Sequence, residues 1–220
     1  MTYRRTIFKE NQSYHVFNRS INNEDIFINK REIIRFLSLI NFYRFKTNIS
    51  FSEYSVLNID RKKSFEKPNN IYQSLVEIYS FSLMPNHYHF LIKQLIPNGI
   101  SKFISNIQNG FAKYYNIKNK RYGSLFCAMF KAVIIRTDEQ FFHVSRYIHL
   151  NPVITGLVKI SELECYYLTS FSSYMNNFSY PFLTKKIIND HFKNVSNYKK
   201  FVNDHEDYLQ KLSELVLSPF

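Results

Sequence analysis

The stretch Leu75 to Lys93, LVEIYSFSLMPNHYHFLIK, decides how this chain is read. Two runs rich in β-branched and aromatic residues flank Pro85-Asn86, a pair suited to a tight turn. A β-hairpin is therefore predicted, with strands over Leu75–Met84 and His87–Lys93. Side chains alternate along a strand, which sets His87 and His89 on one face and Tyr88 on the other. Two of the seven histidines side by side in this way form a bidentate mount for a metal ion. The same pair serves equally as surface decoration or as hydrogen-bonded core, and a metal role needs a third donor from elsewhere in the fold.

Working outward, SYHVFNR (Ser13 to Arg19) alternates as a strand does and INNED after it reads as a turn. From about Asn29 to Lys46, Ile33, Phe36, Leu37, Ile40 and Tyr43 recur at helical spacing. A further strand is predicted near Ile49 to Leu57, and the polar run Asn58 to Asn70 reads as a loop or insertion. Past the hairpin, Ile100, Phe103, Ile104, Ile107 and Phe111 share one helical face despite Gly110. MFKAVIIR (Met129 to Arg136) is β-branched enough for a strand. Thr137 followed three residues later by Gln140 marks a helix start, and that helix is expected to stop near Asn151, because Pro152 disfavours the α conformation before it. Helices alternating with strands that include a tight hairpin indicate an α+β layer. Beyond about Asn177 the chain is polar and helix-prone. We divide it into a domain over residues 1–176 and a C-terminal helical appendage over 177–220.

Lys and Arg outnumber Asp and Glu by 29 to 17, a formal charge of +12. Such an excess concentrates polyanions and makes nucleic acid the leading partner, against the plainer reading that the charge only aids solubility. The 22 Phe and 17 Tyr offer rings for base stacking as well as for core. Cys127 and Cys165 lie far apart and outside any paired motif, which leaves a disulfide framework and a structural zinc site unsupported. No signal-like or membrane-spanning run is present, and a soluble, cytoplasmic protein without a membrane partner is expected.

The capped helix offers the third donor. Tyr147 and Asn151 are four residues apart in RYIHLNPV and share one helical face. With that face toward His87 and His89, the Asn151 oxygen completes a metal site and the Tyr147 hydroxyl hangs beside it. Two imidazoles and an amide oxygen suit Mg²⁺ or Mn²⁺ better than structural Zn²⁺. Spacing alone leaves Tyr147 equally readable as an amphipathic core tyrosine and Asn151 as a helix cap.

The segments YHVFNRSINNEDIF, LMPNHYHFLI, YGSLF with FKAVIIR, and RYIHLNPVITGLV occur in the order and approximate spacing of the single-tyrosine HUH transposases of the insertion-sequence type. The chain most resembles their REP-associated tyrosine transposase branch, from Tyr14 to the SFSSY that ends at Tyr174. The resemblance implies a ferredoxin-like antiparallel sheet with helices on one face. It implies that His87 and His89 are the metal-binding pair, Tyr147 the nucleophile and Asn151 the third metal-binding position. It also implies single-stranded, hairpin-forming DNA as substrate and a covalent 5′-phosphotyrosine intermediate, in a monomer or homodimer whose tyrosine helix serves its own or a neighbour's histidines. Arg19, Lys113, Lys118, Lys120 and Arg121 are candidate phosphate contacts. Where relatives commonly carry an arginine, this chain has Met129, so one basic contact is expected to be missing. Three other readings stay open: a hairpin-binding descendant that no longer cuts, a metal-dependent nuclease that activates water, and an RNA-binding module.

Overall fold

A computed structural model of the chain describes residues 6–66 and 73–204. Strand β1 (Ser13–Arg19) leads through a 3-10 turn at Ile21–Asn23 into α1 (Lys30–Tyr43). Two short helices follow, α2 (Phe51–Val56) and α3 (Ile59–Glu66). The hairpin of β2 (Val76–Met84) and β3 (His87–Gln94) precedes the long helix α4 (Gly99–Lys118), and β4 (Lys131–Ile134) leads into α5 (Asp138–Ile154). After a 3-10 stretch at Ile160–Cys165 come α6 (Phe171–Tyr174), α7 (Lys186–Phe192) and α8 (Val195–Asn203).

The four strands lie in the order β2-β3-β1-β4 with every neighbouring pair antiparallel. With α1 between β1 and β2 and α4 between β3 and β4, this is the ferredoxin-like arrangement. Register explains the two faces. Tyr88, Phe90 and Ile92 of β3 share a face with Tyr14 and Val16 of β1, and they form one core with Ile33, Phe36 and Ile40 of α1 and the predicted stripe of α4. Each of Ile100, Phe103, Ile104, Ile107 and Phe111 is fully buried there. The opposite face carries Leu91 and a β-bulge at Tyr79, where the register shifts between Ile78 and Ser80. A bulge places two successive side chains on one side. Tyr79 accordingly joins the second core while Ser80 reaches Ser145 of α5 at 2.6 Å, and the Tyr79 carbonyl accepts a hydrogen bond from the Tyr174 hydroxyl at 2.8 Å.

The expected helices on one face are thus α1 and α4, and α5 covers the other face, packing on β2 and β3. Its near-complete burial follows from being sandwiched between the sheet and α6 to α8. The C-terminal helices are helical as predicted and pack into the second core through Ile188, Tyr198 and Val202. Residues 205–220 of the predicted appendage lie outside the described residues.

Three local expectations are corrected. The strand predicted near Ile49 to Leu57 is α2, because Ser50 and Glu53 form a reciprocal capping box that favours a helical start over extended pairing. The run read as a loop contains α3, opened by Asn58, whose Oδ1 accepts from the Arg61 amide at 2.9 Å; the rest of that run, 67–70, lies outside the described residues. Helix α5 passes Pro152 and ends at Ile154. Proline forfeits its own N–H bond and crowds the carbonyl four residues earlier, while the carbonyls of the last turn find other donors. Thr155 Oγ1 donates to the Asn151 carbonyl at 2.9 Å, and the Leu157 amide donates to that of Pro152 at 2.8 Å.

Candidate active site

The pairing of β1 with β3 sets Phe17 opposite His89 and Arg19 opposite His87, so these side chains share the face that α5 covers. His87 and His89 stand with ring centroids 5.1 Å apart. Helix α5 begins where Thr137 accepts a hydrogen bond from the Gln140 amide at 3.1 Å, while the Gln140 side chain accepts from the Arg136 amide. Ten residues later the helix brings the Tyr147 ring edge-on to His89 at 5.8 Å and to His15 at 5.7 Å. Asn151, 5 % exposed, lies one turn further along, with its Nδ2 donating to the Tyr147 carbonyl at 3.5 Å. Strand pair and tyrosine helix therefore meet within one chain.

His87, His89 and Tyr147 are each held toward the neutral form. Burial, helped by the Arg19 charge, lowers the His87 imidazole to about 4. Burial and then the neighbouring His15 and His87 hold His89 well below the ordinary value. Burial raises the Tyr147 hydroxyl above its ordinary value, with a hydrogen bond from Asn151 acting the other way. Neutral imidazoles are the form that donates a lone pair to a metal ion. Among the described residues no three His, Cys, Asp or Glu side chains gather as a metal site, so the histidine pair calls for a donor of another type. An amide oxygen is such a donor, and the resulting N,N,O chemistry is compatible with a divalent cation.

His15 was missed in the sequence. Its Nε2 lies 3.0 Å from the Nδ1 of His89, and burial lowers its imidazole to about 3. Alternation within β1 shows which way His15 points, but only the register with β3 puts it beside His89. Missed likewise are the residues behind α5. Arg146, fully buried, donates to the Phe201 carbonyl at 3.1 Å, lies 4.4 Å from the Phe201 ring centre and contacts His143 Nδ1 at 2.7 Å. The Tyr198 hydroxyl bridges Ser145 at 2.8 Å and His149 at 3.0 Å.

The five basic candidates divide by position. Arg19 is beside His87. Lys113 and Lys118 sit on α4, which covers the other side of the sheet, and Lys118 is bonded to the buried Glu32. Arg121 is paired with Glu24 at 3.2 Å and donates to the Ser124 carbonyl, and Lys120 is exposed in the same turn. That turn leads to Leu125 and Cys127, which bond to Ile21 and Arg19 at the His87 end of β1. Met129 is 41 % exposed.

Residues 53–151 match the family model described as "Transposase IS200 like". Over that segment the chain is similar to IS200-like transposases. Its matched segment runs through the histidine strand to Asn151 of the tyrosine helix. Among solved structures it is similar to one described as a REP-associated tyrosine transposase bound to a REP hairpin, at 14 % identity and a TM-score of 0.56, covering 84 % of this chain and 93 % of that one. The fold of this chain is thus shared with that protein. A candidate transposase from Deinococcus radiodurans R1 aligns at 12 % identity and a TM-score of 0.34, over 67 % of this chain and 95 % of that one. No curated protein sequence matches the chain. No helix among the described residues is long and apolar enough to cross a membrane.

Proposed function

We propose that this chain is an IS200-like transposase that cuts and rejoins single-stranded DNA by transesterification at Tyr147. The Tyr147 oxygen attacks phosphorus, a bond forms between them, and the bond to the 3′ oxygen breaks, leaving a 5′-phosphotyrosine on the protein and a 3′-hydroxyl on the departing strand. A 3′-hydroxyl attacking the phosphotyrosine reverses the step and rejoins DNA without an external energy source. The observation that carries this reading is the edge-on meeting of Tyr147 with His89 in one chain.

His87, His89 and Asn151 are the residues that would hold Mg²⁺ or Mn²⁺. The cation, when bound, supplies positive charge to the scissile phosphate and to the leaving oxygen. The phenol is protonated in the resting protein, a state that burial reinforces, and its proton must leave as the oxygen attacks phosphorus. Helix α5 holds the ring in place for that attack, and orientation is a major part of the rate gain in such steps. A hairpin-forming strand is the proposed ligand, supported by the net positive charge and by the REP hairpin bound to the structurally similar transposase. One chain contains both halves of the site, which supports action in cis by a monomer or by each subunit of a homodimer.

A 3′-end-labelled panel of hairpin oligonucleotides incubated with the protein and Mn²⁺ or Mg²⁺ tests the reading. The expected product is labelled strand covalently attached to protein, absent with Tyr147→Phe. Cleavage with no attached protein identifies a water-activating nuclease instead, and binding without cleavage identifies a hairpin-binding protein.

A further inference from the structure

Both histidines of the pair direct Nδ1 to another side chain. The Nδ1 of His87 is 2.6 Å from the Oδ1 of Asn86, and the Nδ1 of His89 is 3.0 Å from the Nε2 of His15. A neutral imidazole has one N–H and one lone pair, so the partner at Nδ1 decides which nitrogen offers the lone pair. Asn86 settles this for His87, because an amide oxygen only accepts: the proton sits on Nδ1 and the lone pair on Nε2. For His89 the partner is a second imidazole, and the tautomer of His15 sets the tautomer of His89.

The geometry of that contact is defined. The two ring planes are within 20° of each other, which brings the N–H of one close to the lone-pair plane of the other. His15 is 4 % exposed, and Phe17 and Tyr147 pack against its ring at 4.9 Å and 5.7 Å, restricting its rotation. Register places it there, since Phe17 opposes His89 and His15 is the next residue of β1 on the same face.

We infer that His15 is a positioning residue that accepts the Nδ1 proton of His89 and thereby holds His89 in the tautomer whose Nε2 can bind a divalent cation. The inference rests on the metal role proposed for His89. Hydrogen bonds of this kind orient metal-binding histidines and raise their basicity. Because His15 also touches Tyr147, it links the orientation of the ligand to that of the attacking phenol.

The test uses the full chain without DNA. Mn²⁺ binding is followed by electron paramagnetic resonance, and the His89 tautomer in metal-free protein by long-range proton–nitrogen spectra of its imidazole. His15→Leu is expected to weaken Mn²⁺ binding about 10–100-fold and to erase the single Nδ1–H signature of His89. His15→Gln, whose amide oxygen accepts the same proton, is expected to retain most of the affinity and the signature. If the leucine variant does not fold, His15→Asn, whose shorter amide falls short of His89, is expected to show the same weakening. Unchanged affinity and an unchanged His89 spectrum in a folded His15→Leu or His15→Asn protein overturn the role of His15 alone. Equal Mn²⁺ binding by the parent and His89→Ala overturns the metal role of His89 and this inference with it.

Discussion

The ring of Tyr147 stands edge-on to the ring of His89 at 5.8 Å, one from a late helix and the other from a mid-chain strand of the same molecule. The proposed action in cis rests on this contact and predicts a failure of complementation. His87→Ala and Tyr147→Phe proteins, each expected to lose adduct formation by at least about 100-fold, should stay inactive when mixed. Adduct yield restored by mixing would show that the tyrosine serves a partner's histidines. Tyr147→Phe keeps the ring, so its melting temperature is expected within about 2 °C of the parent.

The C-terminal helices hold the tyrosine helix from behind. Tyr198→Phe removes the hydroxyl that bridges Ser145 and His149, taking the partner from the buried His149 Nδ1 while Ser145 keeps its bond to Ser80. A loss of about 1–3 kcal/mol is expected, or about 2–4 °C in melting temperature per kcal/mol for a chain of this size. Calorimetry on the single variant checks it. A melting temperature equal to the parent's would show that the bridge carries no stability.

Acid should unfold the protein through its buried imidazoles. His149 bonds the Ser170 and Tyr198 hydroxyls, and burial lowers it from 6.5 to about 3. The unfolded chain therefore binds a proton that the folded chain refuses between about pH 6.5 and pH 3. Stability from this group is complete above pH 6.5 and falls as pH drops through that window, by up to about 1.4 kcal/mol per unit. His15, lowered to about 3, acts with the same sign. Urea midpoints measured from pH 7 to pH 4.5 should fall steadily, and a flat profile would contradict the assignment of neutral buried histidines.

Lys118 is expected to separate from the other basic candidates. Its ammonium pairs with Glu32, whose side chain is 2 % exposed. Lys118→Ala should cost about 1–3 kcal/mol in stability, because it leaves that carboxylate without its cation. Lys120→Ala should leave stability within about 0.5 kcal/mol. If Lys120 contacts phosphate, its loss lowers the slope of log affinity against log salt by about 1. Paired denaturation and salt titrations of single-strand binding distinguish the two behaviours.

Much of the fold was legible where local pattern and tertiary demand agree. The hairpin around Pro85-Asn86, β1 and the α4 stripe each carry a periodicity that one buried face enforces. The segment from Ile49 to Leu57 was misread because its apolar residues suit a strand, while the Ser50–Glu53 box that makes it a helix is a signal of two polar side chains. Pro152 misled in the opposite sense, since a proline near a helix end costs little once other donors serve the exposed carbonyls.

From sequence by itself came the residue types and their local directions: paired imidazoles on one face of a strand, a phenol and an amide one turn apart on a helix, and a surplus of positive charge. Tertiary structure alone decided that the two groups meet in one chain, that His15 stands against His89, and that Arg146 and Tyr198 fasten the helix from behind. The division has a physical cause. Periodicity is a property of neighbouring residues, whereas strand register and the choice of sheet face for α5 are set by packing between segments far apart in the chain.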